Sequence, residues 1–291
     1  MRSRRGAAAG LAAAALAIGG ACATFGAGSA TRTADPAAPL PGASVLLEDL
    51  TWTELRARIA AGATTAIVPV GGTEQSGPAI ALGKHNARVK VLSERIARDL
   101  GNAIVAPVIA YVPEGSIEPP AAHMRFPGTL SVPDDVFERT LEAAGRSLKS
   151  AGFLDVVFLG DHGGYQADLE RVAERLNRAW RASPGPRAAF AHAPAAYYRA
   201  SDAAFADWLR SQGYGSAEIG THAGLADTSL QLAVDPGSVR SDMLQRTPKP
   251  GRADGVYGDP SRASAELGRV GADRIVSETV AAIRTAVAHR R

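Results

Sequence analysis

Four of the six histidines fall in segments of the kind that deliver side chains to a cleft: His85 in "GGTEQSGPAIALGKHN", His123 in "PEGSIEPPAAHMRFPGT", His162 in "GDHGGY" and His222 in "THAGLADTSLQLAVDP". Carboxylates accompany them, with Glu74 in the first segment, Asp161 beside His162 and Asp227 shortly after His222. Imidazole and carboxylate together can hold a divalent cation through nitrogen and oxygen, or carry protons to and from a reacting group. Each residue also has a plainer reading. The two glycines after His162 let backbone approach a ligand and leave N–H groups free for an anion or oxyanion, but His162 could equally cap the next helix. His222 could be a satisfied structural histidine, and Asp227 a helix cap. The convergence of several such groups is more specific than any one of them. The only cysteine, Cys22, lies in the first thirty residues, so a metal held by the remainder must be held by nitrogen and oxygen.

The elements that must position these groups alternate. "TWTELRARIAAG" opens with a Thr51/Glu54 capping box and closes at Gly62, which predicts a helix. "AIVPVG" is an apolar run suited to a strand covered on both faces. "NARVKVLSERIARDLG" has helical spacing, "AIVAPVIAYV" predicts a second strand and "PDDVFERTLEAAGRSLKSAGF" a capped helix ending at Gly152. "DVVFLGD" then predicts a third strand and "QADLERVAERLNRAWRA" a third helix. Strand followed by helix, repeated, predicts a mainly parallel sheet in a layered α/β fold. In such sheets ligands bind outside the carboxyl ends of the strands. That is where Glu74, His85, His123, Asp161 and His162 fall. The C-terminal "GADRIVSETVAAIRTAVAHRR" carries apolar residues at helical spacing, a pattern of core packing more often than of an interface.

Composition sets the class. With 291 residues, 46% hydrophobic and 21% charged, the chain can bury a full core. Residues 1–30 have a basic start (Arg2, Arg4, Arg5), an Ala-rich apolar stretch and small residues offering cleavage after Ala23 or Ala30. They read as an export signal of Sec or twin-arginine type and not as a membrane anchor, because Ala and Gly supply little transfer energy. Gly19 stands where a lipoprotein signal has Leu, so plain cleavage is expected over lipidation at Cys22. A periplasmic or secreted location follows. Residues 31–43 read as a Pro/Ala-rich linker and 44–291 as the working domain. The whole chain carries +3, but removing Arg2, Arg4 and Arg5 leaves 29 basic residues against 29 acidic. The pI of about 9.2 therefore partly reflects the signal. No basic stripe interleaved with aromatics points to nucleic acid.

Five ordered blocks, "VPVGGTEQSGPAIALGKH", "HMRFPGTLSVP", "GFLDVVFLGDHGGY", "THAGLADTSL" and "GVYGDPSRASAELG", resemble the successive blocks of the creatininase (creatinine amidohydrolase) family. The resemblance implies a three-layer αβα fold, assembly as a homohexamer, and a site for one or two divalent ions, Zn²⁺ or Mn²⁺. The implied reaction is metal-assisted hydrolysis of a C–N bond in a small cyclic or linear amide. It aligns Glu74 with the Glu of the family's Glu-Gln-His-Gly motif and His162 with the His of its Asn-Gly-His-Gly-Gly-Asn motif.

The departures are as informative. Ser76 replaces a motif His, His85 a metal-binding Asp, Leu225 a carboxylate found in many relatives, and Gly164 the Glu of true creatininases. Asp161 and Tyr165 stand at positions of Gly and Asn. The expected metal ligands are Glu74, His85 and His162. The expected catalytic residues are His123 and His222, facing substrate as proton donors, with Asp227 or Asp161 as fourth ligand, base or orienter of a histidine. Creatinine itself is disfavoured by Gly164. Two alternatives stand: a hydrolase of another bond, such as a lactone or modified sugar, and a metal-free binding protein that keeps the cleft.

Overall fold

The strand and helix alternation is realised around four parallel strands. The computed structural model describes residues 44–183, 185, 187–245 and 248–289, all within one contact unit, Pro36–Arg291. The export signal expected at 1–30, with Cys22, and the linker expected at 31–43 lie outside the described residues. In chain order the elements are α1 (Trp52–Ala60), β1 (Thr65–Val70), α2 (Lys84–Leu100), β2 (Ala103–Val105), α3 (Asp134–Ala151), β3 (Asp155–Gly160), α4 (Gln166–Ala182) and β4 (Phe190–His192). Helices follow: α5 (Ala196–Arg199), α6 (Phe205–Ser211), α7 (Ser216–Ile219), α8 (Leu225–Val234), α9 (Ser241–Leu244) and α10 (Ala265–Ala288).

The sheet order is β2-β1-β3-β4, with Thr65 in register with both Ala103 and Asp155. Every residue of β1 and β3 is buried, as strands covered on both faces must be. Alternation along β1 sends Ile67 into one core, shared with α2, α8 and α10. Ala66, Val68 and Val70 enter the other, shared with α3 and α4. Helices on both faces make this the expected three-layer αβα fold. Among the described residues no helix is long and apolar enough to cross a membrane.

Three differences from the expected elements have physical causes. The second strand is only three residues long; past Val105 comes Pro107, which has no N–H for a ladder, and a lone bridge, Val70 to Ile109, remains. β4 was not foreseen, since three residues are too few to show a period. α2 begins at Lys84, two residues earlier than expected, so His85 and Asn86 belong to its first turn.

The topology dictates where a ligand can sit. From β1 the chain passes through α2 to β2 on one side, then returns through α3 to β3 on the other. The strand order therefore reverses between β1 and β3, and their carboxyl ends open a crevice. Glu74 follows β1, while Asp161 and His162 follow β3.

α10 is a core helix with a buried stripe from Gly268 to Ile283. Its approach to α8 depends on Gly268, where a Cβ would overlap the Ser229 carbonyl. Gly268→Ala is expected to destabilise the protein by about 1–3 kcal/mol through overpacking, read as a lower urea midpoint with the slope unchanged.

Candidate metal centre

The loop after β1 is fixed before it reaches the crevice. The Gly72 N–H donates to Asn86 Oδ1 (3.0 Å), and Asn86 Nδ2 donates to Thr73 Oγ1 (3.1 Å). The Glu74 N–H donates to the Leu82 carbonyl (3.1 Å), and the Gln75 N–H to Thr129 Oγ1 (3.1 Å). Glu74 is thereby held fully buried. His85 Nε2 lies 2.7 Å from its Oε1 and Lys84 Nζ 3.3 Å from the same oxygen. Among the described residues its Oε2 has no hydrogen-bond partner; His123 Nε2 and His162 Nε2 face it at 3.4 and 3.6 Å.

α2 supplies the opposite charges. Its buried stripe runs Lys84, His85, Arg88, Val89, Leu92, Ser93, Ile96, Ala97, so one core-facing stripe turns from apolar to ionic at the end nearest the sheet edge. Lys84 reaches Asp227 (2.5 Å). Arg88 donates through Nε to Asp161 (2.8 Å) and through Nη1 to Asp227 (2.7 Å). Tyr197 Oη donates to Asp161 (2.8 Å), and His85 Nδ1 lies 2.6 Å from Asp161 Oδ2. Burial alone would raise Asp161 and Asp227, but the charges of Arg88 on the first and of Lys84 and Arg88 on the second hold both below the usual carboxylate range. Burial would likewise raise Glu74, and Lys84 with His85 and His222 pulls it far down.

Hydrogen bonds sort the histidines. His85 lies at hydrogen-bond distance from both neighbours, Nδ1 from Asp161 and Nε2 from Glu74, and Asp161 behind the ring is the carboxylate–histidine arrangement of metal sites. His222 Nε2 donates to the Gln75 carbonyl (2.8 Å), leaving the Nδ1 lone pair 3.6 Å from Glu74 Oε1. Gln75 Oε1 accepts from the Gly77 N–H (3.0 Å), so its amide nitrogen donates to His123 Nδ1 (2.9 Å) and the proton of that ring sits on Nε2. The Gly164 N–H donates to His162 Nδ1 (3.2 Å), so this histidine does cap its own turn and, in the metal-free protein, carries its ring proton on the Nε2 that faces the cluster. Burial, opposed only in part by Glu74, lowers His123, brings His162 down to about 3 and, with the Lys84 charge, His222 to about 4.

Two groups here could hold a cation, Glu74/His85/His162 and Glu74/His123/His222, and Glu74 belongs to both. His123, His162 and His222 present nitrogens 3.4–3.6 Å from Glu74, too distant for good hydrogen bonds but close to the separation of about 3.3 Å that two ligands have on one tetrahedral cation, whereas His85 at 2.7 Å hydrogen-bonds it directly. Charge agrees. Three buried carboxylates, Glu74, Asp161 and Glu114, and the partly buried Asp227 surround two basic side chains, Lys84 and Arg88. Two negative charges remain, to be met by protons or by one divalent cation.

A family model for creatininase, described as creatinine amidohydrolase, matches residues 48–283. The chain belongs to the creatininase family. The creatinine amidohydrolase of Pseudomonas putida is 28% identical over 203 residues, covering 69% of this chain and 76% of that protein. The mycofactocin precursor peptide peptidase of Mycolicibacterium smegmatis is 28% identical over 235 residues, covering 74% and 80%. Among solved structures, "Creatininase Mn" superposes with a TM-score of 0.68 at 25% identity, over 84% of this chain and 99% of its own. A Zn-Zn type of a mutant creatininase matches with the same score and identity, over 84% and 98%. Manganese and zinc thus occur in creatininases of this fold.

Measured against the creatininase blocks, the structure brings Glu74, His85, His123, His162 and His222 around one pocket, with Asp161 and Asp227 on its wall. Both aspartates are engaged by Arg88, and they touch the pocket from behind His85 and Lys84. Ser76 is buried with its hydroxyl unpartnered among the described residues, and Leu225 is core. The sequence reading missed Lys84, Arg88, Gln75, Tyr197 and Glu114. The first two had a signal, since they continue the apolar stripe of α2. Glu114 had none to separate it from Glu118 in the same loop.

These shifts predict a stability maximum near neutral pH for the protein in EDTA. An unfolded histidine gains a proton near pH 6.5, which His162 and His222 resist to about 3 and 4. The unfolded state then binds more protons, and stability falls as the pH drops. Glu114, joined in the acid range by Asp168, which burial also raises, opposes this below pH 6.5, and Glu114 dominates above it. Burial, reinforced by the Glu74 charge, raises it to about 9, so its contribution is lost as the pH rises through that value. Thermal melts from pH 4 to 9 should trace a dome, with the acid side flattened by His162→Gln and His222→Gln; stability still rising at pH 9 would contradict it.

Proposed function

We propose that this chain is a metal-dependent hydrolase that cleaves a C–N bond in a small cyclic or linear amide. The observation that carries the reading is the buried Glu74, which belongs to both ligand groups and whose Oε2 has no hydrogen-bond partner among the described residues. Glu74, His85 and His162 would hold one cation position, and Glu74, His123 and His222 could hold a second once the His123 proton has left Nε2. A divalent cation there supplies Lewis acidity for a carbonyl and lowers the pKa of a water. The protein's own groups do the rest. Asp161, braced by Arg88 and Tyr197, fixes the tautomer and tilt of His85. The Gln75 carbonyl does the same for His222. When only the first position is filled, the Nε2–H of His123 is the proton donor nearest the pocket, placed to meet a carbonyl oxygen or a departing nitrogen.

The pocket of about 390 Å³, with Phe126, Tyr198, Thr221, Leu230 and Tyr257 on its walls, suits a small substrate. The relatives' names, an amidohydrolase and a peptidase, both describe amide-bond cleavage and support the bond class. Gly164 argues against creatinine. Exposed Tyr111, Ile117 and Leu130 around the loop after β2 support the oligomeric part of the reading, a homohexamer. One observation favours the metal-free alternative: Lys84 Nζ already sets a positive charge 3.3 Å from Glu74.

Elemental analysis and turnover on a panel of amides and lactams test the reading. The expected result is about one or two Zn²⁺ or Mn²⁺ per chain. Glu74→Gln should lose the metal and lower turnover ~10²-fold or more. Parent protein that stays metal-free after reconstitution would support the binding-protein alternative instead. The reading also places the enzyme outside the cytoplasm. Mass spectrometry of the exported protein should find a new N-terminus after Ala23 or Ala30, and an intact Met1 in that fraction would overturn the export signal.

A further inference from the structure

We propose that Glu114 is a metal ligand of this chain, bringing from the loop after β2 a carboxylate that no side chain at position 164 supplies. The inference rests on the metal-dependent reading above and extends it to a residue outside both ligand groups.

Glu114 is placed deliberately. Its N–H donates to Ser131 Oγ (3.0 Å), and Ser131 in turn donates to the Gly115 carbonyl (2.8 Å), so the loop is pinned on both sides of its Cα. The side chain has no solvent exposure, yet among the described residues no donor group hydrogen-bonds either carboxylate oxygen; its polar neighbour is the Glu74 carboxyl, with which it can share a proton. A carboxylate buried without partners costs folding free energy, and loops ordinarily turn such a group outward, as this loop does with the exposed Glu118. Glu114 turns inward, with Oε2 3.4 Å from His162 Nε2. That ring nitrogen also faces Glu74 Oε2 at 3.6 Å, and both separations fit ligands of one cation better than hydrogen bonds.

The neighbouring backbone makes room for it. A Cβ at Gly72 would overlap Glu114 Oε1, so the glycine after β1 leaves space for this carboxylate. A Cβ at Gly164 would lie 2.9 Å from the His162 ring and 3.7 Å from the Pro113 carbonyl. A side chain at 164 would thus start into the space beside Pro113 and Glu114. One carboxylate can fill that space from either loop, and here it comes from residue 114. The oxygen donor is hard, which suits Mn²⁺ as well as Zn²⁺.

The test is calorimetric titration of Mn²⁺ and Zn²⁺ into EDTA-stripped full-length protein, comparing wild type, Glu114→Gln and the exposed control Glu118→Gln, with melting curves of each stripped form. Glu114→Gln should weaken binding at least about 10-fold or remove one ion per chain. Its stripped form should melt no lower than wild type, because Gln keeps the shape of the protonated carboxyl and can donate to Glu74 as it does. Glu118→Gln should match wild type in both. Wild-type affinity and stoichiometry in folded Glu114→Gln would overturn the inference and leave the metal reading standing. Wild type that binds neither ion would instead sink the metal reading itself. If Glu114→Gln does not fold, Glu114→Asp, which keeps the charge and withdraws it by one methylene, decides: weaker binding supports the ligand role and unchanged binding overturns it.

Discussion

A carboxylate with no route to water governs this site. Glu74 is fully buried, one oxygen met by Lys84 and His85 and the other, among the described residues, by no hydrogen bond. Leaving such a group in a protein interior is costly unless a charge completes it. The surrounding structure can be understood as what that carboxylate requires. Asn86 and Thr129 pin the loop that carries it, α2 turns its core stripe ionic to face it, and four imidazoles close over it from four different segments. The ring pairs His85/His162 and His123/His222 lie 5.3 and 4.5 Å apart, and the gap between the pairs is where Glu74 Oε2 points.

The electrostatic arrangement separates two tasks. Asp161 and Asp227 are saturated by Arg88, Lys84 and Tyr197, so they act as a rigid charged frame behind the pocket and not as groups free to react. Glu74 and Glu114 are the undersatisfied pair, and the excess negative charge resides with them. Protons can supply the compensation in the metal-free protein. Binding a divalent cation would displace such protons, which ties metal affinity to pH. Lys84 contributes from the other side, biasing Glu74 towards its ionised, metal-binding form.

The fold was largely legible because its signals are periodic and local: the apolar runs of β1 and β3, the Thr51 capping box, and the stripe of α10. Strand and helix alternation also located the crevice, which is why Glu74, His85, His123 and His162 could be assigned to one sheet edge. What escaped is non-local. Nothing in "PEGSIEPPAAHMRFPGT" tells which glutamate turns inward, since Ser131 pins the loop from 16 and 17 residues away. The pairing of Gln75 with His123 and His222 spans up to 147 residues. Nor could spacing show that Glu74 belongs to two ligand groups at once. Lys84 and Arg88 were readable in principle, but a charged residue in a first helical turn is usually solvated, and only the packed stripe shows otherwise.

The central claim is that Glu74 organises a cation site at the carboxyl ends of β1 and β3. Anomalous X-ray scattering from crystals grown with Mn²⁺ tests it most directly. The account predicts an anomalous peak in contact with Glu74, bounded by histidines of one or both groups. Crystals saturated with Mn²⁺ that show no peak at Glu74, with Lys84 alone neutralising it, would contradict the account.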